Sequence, residues 1–140
     1  PMIRYRTRDI TALTSEQCQC GRTLRRLKRI GRRSDDMMII RGVNVYPSQI
    51  EEALLKVEGT LPHYLIIIDR VKGLDVMEVQ VEVTPEVFSD TIGAMEQLQA
   101  KISHFIAATT GIRPEVKLVA PKTIKRSEGK AKRVIDKRRM

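Results

Sequence analysis

The chain has 140 residues, of which 41% are hydrophobic, and a formal charge of +9. That is enough apolar material for one compact domain with an appended segment. No run of about 18 apolar residues could span a bilayer and no basic-then-apolar leader is visible, so a soluble, cytoplasmic protein with no membrane partner is expected.

The charge is unevenly placed. Residues 1–36 carry ten Lys/Arg against four Asp/Glu, residues 122–140 nine against two, and the 85 residues between them seven against eleven. Clustered positive charge attracts a polyphosphate, a nucleic acid or an acidic partner alike. Nucleic-acid binders usually add aromatic stacking platforms, and the five aromatic residues all lie outside the basic tail. A nucleic-acid partner is therefore not expected. A small basic α+β regulatory or nucleic-acid-binding module without catalysis stands as the competing reading.

Taken in chain order, Ile3–Tyr5 reads as a strand leading into a loop at Asp9, Thr14–Arg22 as turn and loop, and Leu24, Leu27 and Ile30 as a short strand or irregular segment. At Asp35-Asp36 the character changes. Met37–Ile40 and Val43–Tyr46 predict two short β segments around an Arg41-Gly42 turn. Pro47 suits a first helical position, Ser48 with Glu51 matches a capping box, and Ile50, Ala53, Leu54 and Val57 give the apolar stripe of a helix over 47–57. Tyr64–Asp69 is a short apolar strand, and 71–75 a turn. Met77, Val79, Val81 and Val83 then alternate with Glu78, Gln80 and Glu82, the clearest strand pattern in the chain.

The spacing of Ile92, Met95, Leu98, Ile102, Phe105 and Ile106 predicts a long helix ending near Gly111, and 116–119 a further strand. From Pro121 the basic tail lacks an apolar period until Val134-Ile135, so a mobile loop with a short terminal helix is expected. The order from the double aspartate is ββ-α-ββ-α-β. It defines an α+β fold, a small mixed sheet covered by helices.

Lys130 follows Gly129 among Lys125, Arg126, Lys132 and Arg133, where it can meet a phosphate as a mobile point charge. On these residues alone a solvated basic tail is the simpler reading. Asp9 could accept hydrogen bonds from a ribose diol or merely form a turn, and Asp35-Asp36 could be a cap or a turn. Cys18 and Cys20 make at most half of a four-coordinate zinc site, and as a pair they are too close for an easy disulfide. Ordinary loop thiols in a reducing compartment are the simpler reading.

Together these segments resemble the C-terminal part of adenylate-forming ligases of the acyl-CoA synthetase type, most closely the phenylacetate branch. The resemblance rests on Tyr5-Arg6-Thr7-Arg8-Asp9, on Cys18–Arg22, on the run Arg33-Ser34-Asp35-Asp36-Met37-Met38-Ile39-Ile40-Arg41-Gly42-Val43-Asn44-Val45-Tyr46-Pro47, and on Arg126-Ser127-Glu128-Gly129-Lys130. It implies an AMP-forming reaction of an aryl acid with ATP, Mg2+ and CoA through an acyl-adenylate. Lys130 would be catalytic, Asp9 and Arg33 would bind ATP or AMP, Asp35 would be the hinge, and Arg41, Gly42 and Val43 would line the CoA channel.

Residues 1–34 would then be the last strands of a large N-terminal adenylation domain that is a required partner, and 35–140 a mobile lid. The basic ends would meet the nucleotide, CoA and the large domain while the acidic middle faces solvent. A homodimer is compatible with the resemblance. Gly31-Arg32-Arg33 carries one arginine more than the family's usual Gly-Arg, which leaves open whether Arg32 or Arg33 meets the nucleotide. Without the upstream phosphate loop and acyl pocket, the fragment is expected to be inactive alone.

Overall fold

The computed structural model describes residues 3, 6–89, 91–125 and 133–138, with the side chain of Asp35 not among them. The chain divides into two compact units, 1–37 and 38–140.

The first unit is built from two-residue strands. β1 (Asp9–Ile10) pairs antiparallel with β4 (Arg32–Arg33), and β2 (Leu13–Thr14) with β3 (Arg26–Leu27). Asp9 thus lies in a strand rather than the expected loop, because the Arg8 carbonyl accepts from the Ser34 N–H at 2.8 Å and draws the two segments together. Ile3 lies outside any strand, and the rest of the predicted opening strand, Arg4 and Tyr5, lies outside the described residues. A single 3-10 turn, Ser34–Asp36, closes the unit.

The second unit holds the hydrophobic core. β5 (Met38–Ile40) and β6 (Val43–Val45) form a hairpin around Arg41 and Gly42, both left-handed at φ 50° and 78°. Those two positive φ values are what a two-residue hairpin turn with native twist needs. α1 (Pro47–Leu54) follows. Its N-terminus differs from the predicted Ser48/Glu51 box: the cap residue is Tyr46, whose N–H donates to Gln49 Oε1 at 2.9 Å. Pro47 has taken the first helical position, which moves the third to Gln49.

β7 (Thr60–Val71) and β8 (Leu74–Val83) make a long antiparallel hairpin turning at Lys72-Gly73. A short α2 (Pro85–Phe88), too short to show an apolar period, precedes the long α3 (Ile92–Thr110). Gly111, at φ 80°, supplies the left-handed C-cap. β9 (Glu115–Val119) runs parallel to β8, and β10 (Val134–Asp136) parallel to β7, giving the strand order β10-β7-β8-β9. The expected short terminal helix is therefore a strand. The open edge of β7 offers Ile66 N–H and Ile68 C=O, which pair at 2.8 Å with Arg133 C=O and Lys137 N–H. An edge of unpaired peptide groups outweighs any local helical preference of three residues.

One sheet face meets the helices. Ile66, Ile68, Val79 and Val81 are fully buried there with Ile50, Ile102 and Ile106. On the other face Glu78 pairs with Lys117 at 2.6 Å. Glu82, on that same polar face, is fully buried. The chain leaving β9 turns at Ala120–Thr123 and brings the Ile124 N–H to Glu82 Oε1 at 2.9 Å. The acidic middle therefore does not simply face solvent.

Candidate functional site

The sequence-predicted residues fall into three groups that the structure treats differently. Asp9 and Arg33 sit directly opposite each other in the β1–β4 ladder, with Arg32 opposite Ile10. Residues facing each other across an antiparallel pair project to the same side. Arg33 thus shares a face with Asp9, while Arg32 projects from the other. Both Asp9 and Arg33 are half-buried. Asp35 lies in the 3-10 turn that follows immediately, its backbone flanked by extended residues at Arg33 and Met37.

Arg41, Gly42 and Val43 form the tip of the β5–β6 hairpin, where Val43 is 38% exposed. Arg41 donates from Nε to the Asp75 backbone oxygen at 2.7 Å. Lys130 lies outside the described residues. The flanking Arg133 is anchored, with Nη1 2.6 Å from Glu51 Oε2 and 3.2 Å from the Tyr64 hydroxyl and its guanidinium 5.0 Å above the Tyr64 ring. Burial first, and then the neighbouring Glu51, raise the Tyr64 hydroxyl above its ordinary range despite Arg133. The described end of the basic tail is thus held by named contacts, whereas residues 126–132, on which the expectation of a mobile arm rests, lie outside the described residues.

Cys18 and Cys20 lie on a turn closed by Gly21 N–H to Cys18 C=O at 2.8 Å, with their sulfurs 3.1 Å apart. The Cys18 thiol, helped by the Arg22 backbone N–H, lowers the Cys20 thiol below its usual value. Tetrahedral zinc with bonds of about 2.3 Å holds two sulfurs about 3.8 Å apart, wider than this pair. Among the described residues no group of three His, Cys, Asp or Glu side chains converges. These thiols do not make a metal site by themselves.

Sequence reasoning missed two residues that organise this region. Asp75, at the start of β8, accepts from Arg70 Nε at 3.1 Å and Arg138 Nη1 at 2.9 Å. Burial works to raise its carboxyl, but the hydrogen bonds from Arg70, the Arg41 backbone and Arg138 outweigh that and hold it below the usual range. Arg138 was hidden in a basic run with no pattern to single it out. An apolar cleft of about 150 Å³ between α1 and the start of β7, lined by Leu54, Val57, Leu61 and Tyr64 among others, contains none of the predicted residues.

A helix-backed four-stranded sheet preceded by a short hairpin makes a small α+β domain, and residues 42–138 match the AMP-binding enzyme C-terminal domain family, to which this chain belongs. Over 138 residues it is 46% identical to the phenylacetate-coenzyme A ligase of Escherichia coli (strain K12), covering 99% of this chain and 31% of that protein. The chain thus spans about a third of the curated relatives' length.

Among solved structures it resembles a 2-hydroxyisobutyryl-CoA ligase in the postadenylation state, with TM-score 0.80 and 39% identity over 95% of this chain and 28% of that one. A domain of phenylacetate-coenzyme A ligase from Bacteroides vulgatus matches with TM-score 0.65 and 35% identity over 74% of this chain and 94% of that one. No helix among the described residues is long and apolar enough to cross a membrane.

Proposed function

We propose that this chain is the C-terminal portion of an AMP-forming, phenylacetate-type CoA ligase, acting in the cytoplasm with an upstream adenylation domain. The observation that carries the reading is 46% identity over a match of 138 residues that covers 99% of this chain. In the first step a carboxylate oxygen of an aryl acid attacks the α-phosphorus of ATP and pyrophosphate leaves. In the second the CoA sulfur attacks the acyl carbon, the thiol proton is lost and AMP departs.

Lys130 neutralises the developing negative charge on the carboxylate and phosphate oxygens. Asp9 accepts hydrogen bonds from the ribose, and Arg33, on the same face of the ladder, holds the ribose or phosphate. This placement favours Arg33 over Arg32 for the nucleotide role. Residues 1–34 belong to the adenylation domain and 35–140 to a lid that swings about Asp35; the division of the chain at Met37 supports that boundary. Rotation withdraws Lys130 and presents the Arg41-Gly42-Val43 turn to CoA, so each half-reaction receives its own groups.

Mg2+ would accompany ATP. With no three-ligand cluster among the described residues, its ligands would come from the phosphates and the upstream domain. The fragment alone is inactive, and the full protein is compatible with a homodimer. In the full-length protein, Lys130→Ala should slow adenylation roughly a hundredfold or more, with thioester formation from supplied acyl-adenylate changed far less. Equal losses in both half-reactions would refute the assignment.

A further inference from the structure

The β5–β6 hairpin is made of three-residue strands, too short to be rigid unaided. Arg41 at its tip is held at φ 50°, a conformation that costs a residue with a Cβ about 1 kcal/mol. Something outside the hairpin must therefore fix it, and two residues, Asp75 and Arg138, do. Asp75 lies against Arg41, its backbone oxygen accepting from Arg41 Nε at 2.7 Å and its Oδ2 facing the Arg41 N–H at a long 3.4 Å. Arg138 bonds the hairpin's Ile39 carbonyl at 2.7 Å and Asp75 Oδ2 at 2.9 Å through Nη1.

Arg138 is itself oriented from the sheet. Its Nε and Nη2 form a two-pronged pair with the Asp136 carboxylate of β10, at 3.0 and 2.7 Å. Arg138 and Asp75 side chains retain only 16% and 12% of their exposure. A planar guanidinium can serve a carboxylate, a second carboxylate and a carbonyl at once; an ammonium cannot span that set.

We infer that Asp75 and Arg138 are positioning residues for the CoA step, fixing the Arg41-Gly42-Val43 turn relative to the sheet without touching substrate. The inference rests on the CoA reading of that turn. A misplacement of about 1 Å at such a surface can cost up to about a hundredfold in rate.

The test measures adenylation and thioester formation separately in the full-length protein carrying Arg138→Ala, Arg138→Lys or Asp75→Asn. Lys117→Ala, which breaks the 2.6 Å pair with Glu78 on the same sheet, is the control. Arg138→Ala and Asp75→Asn should lower thioester formation roughly tenfold, mainly through KM for CoA, while adenylation stays within twofold. Arg138→Lys should fall between, and Lys117→Ala should change neither step.

Hydrogen exchange over residues 39–45 of the 140-residue chain gives a readout independent of activity, and should rise in the three clamp variants alone. Unchanged exchange, or equal loss of both half-reactions, overturns the positioning role. Gly42→Ala separates the two readings. If it impairs thioester formation and the clamp variants do not, only the positioning role fails; if it too leaves that step intact, the CoA reading of the turn fails with it.

Discussion

The two units of this chain use similar side chains in opposite ways. In residues 1–37 every described Ile, Leu and Met is exposed, from Met37 at 36% to Leu24 at 78%, and none of the described residues there is buried. In residues 38–140 the same residue types close into one core around Ile66, Ile68, Val79, Ile102 and Ile106. The second unit closes a core of its own, whereas the first leaves its apolar side chains exposed along two-residue ladders. This asymmetry matches a chain that spans about a third of its relatives' length.

The contrast can be broken most sharply in the core. Ile66→Ala should destabilise the 140-residue chain by about 3 kcal/mol, while Leu24→Ala, at a site 78% exposed, should stay within about 0.5 kcal/mol. Urea unfolding of both variants measures the difference, and comparable losses would show that the first unit has a core of its own. A smaller effect is expected at Glu82. Glu82→Ala strips the acceptor from the Ile124 N–H and should cost about 2 kcal/mol, with Glu82→Gln recovering most of it.

The smallest effect is one of pH. Because the Asp75 carboxyl is held below its ordinary range, its contribution is fully present above the unfolded value of about 3.9 and is lost as pH falls through the lower folded value. The NMR signal of the Asp75 carboxyl carbon should therefore stay constant from pH 7 to about 5 and shift only below about 4. A transition near pH 6 would contradict this picture of the clamp.

Much of the second unit was legible because its signals are local. The alternation from Met77 to Val83, the apolar spacing of 92–106 and the Gly111 stop each name an element without reference to the rest of the chain. Three features were not legible, and the first two depend on a distant partner. Val134–Asp136 is too short to declare a period and becomes a strand only because β7 has a vacant edge. Glu82 falls on the polar stripe of β8, and its burial comes from the turn after β9 folding back over it. The helix cap shifted to Tyr46 and Gln49 because Pro47 set the first helical position.

The candidate site divides in the same way. Its residue types were readable from motif resemblance, but the placing of Arg33 opposite Asp9 comes from a two-residue ladder whose register no sequence pattern declares. The Arg41 turn was visible through its glycine. Asp75 and Arg138 were not, since one looked like an ordinary turn acid and the other like one more cation in a basic run.

The parallel strand at 134–136 has a consequence for self-association. It occupies the peptide groups of Ile66 and Ile68, which would otherwise form an unshielded row beside the half-buried Leu65 and Ile67. Such a row is a template on which a neighbouring molecule can add its own strand. A few residues near the carboxyl end thus act as a guard rail against polymerisation, and clipping them would turn a solitary sheet into an adhesive one.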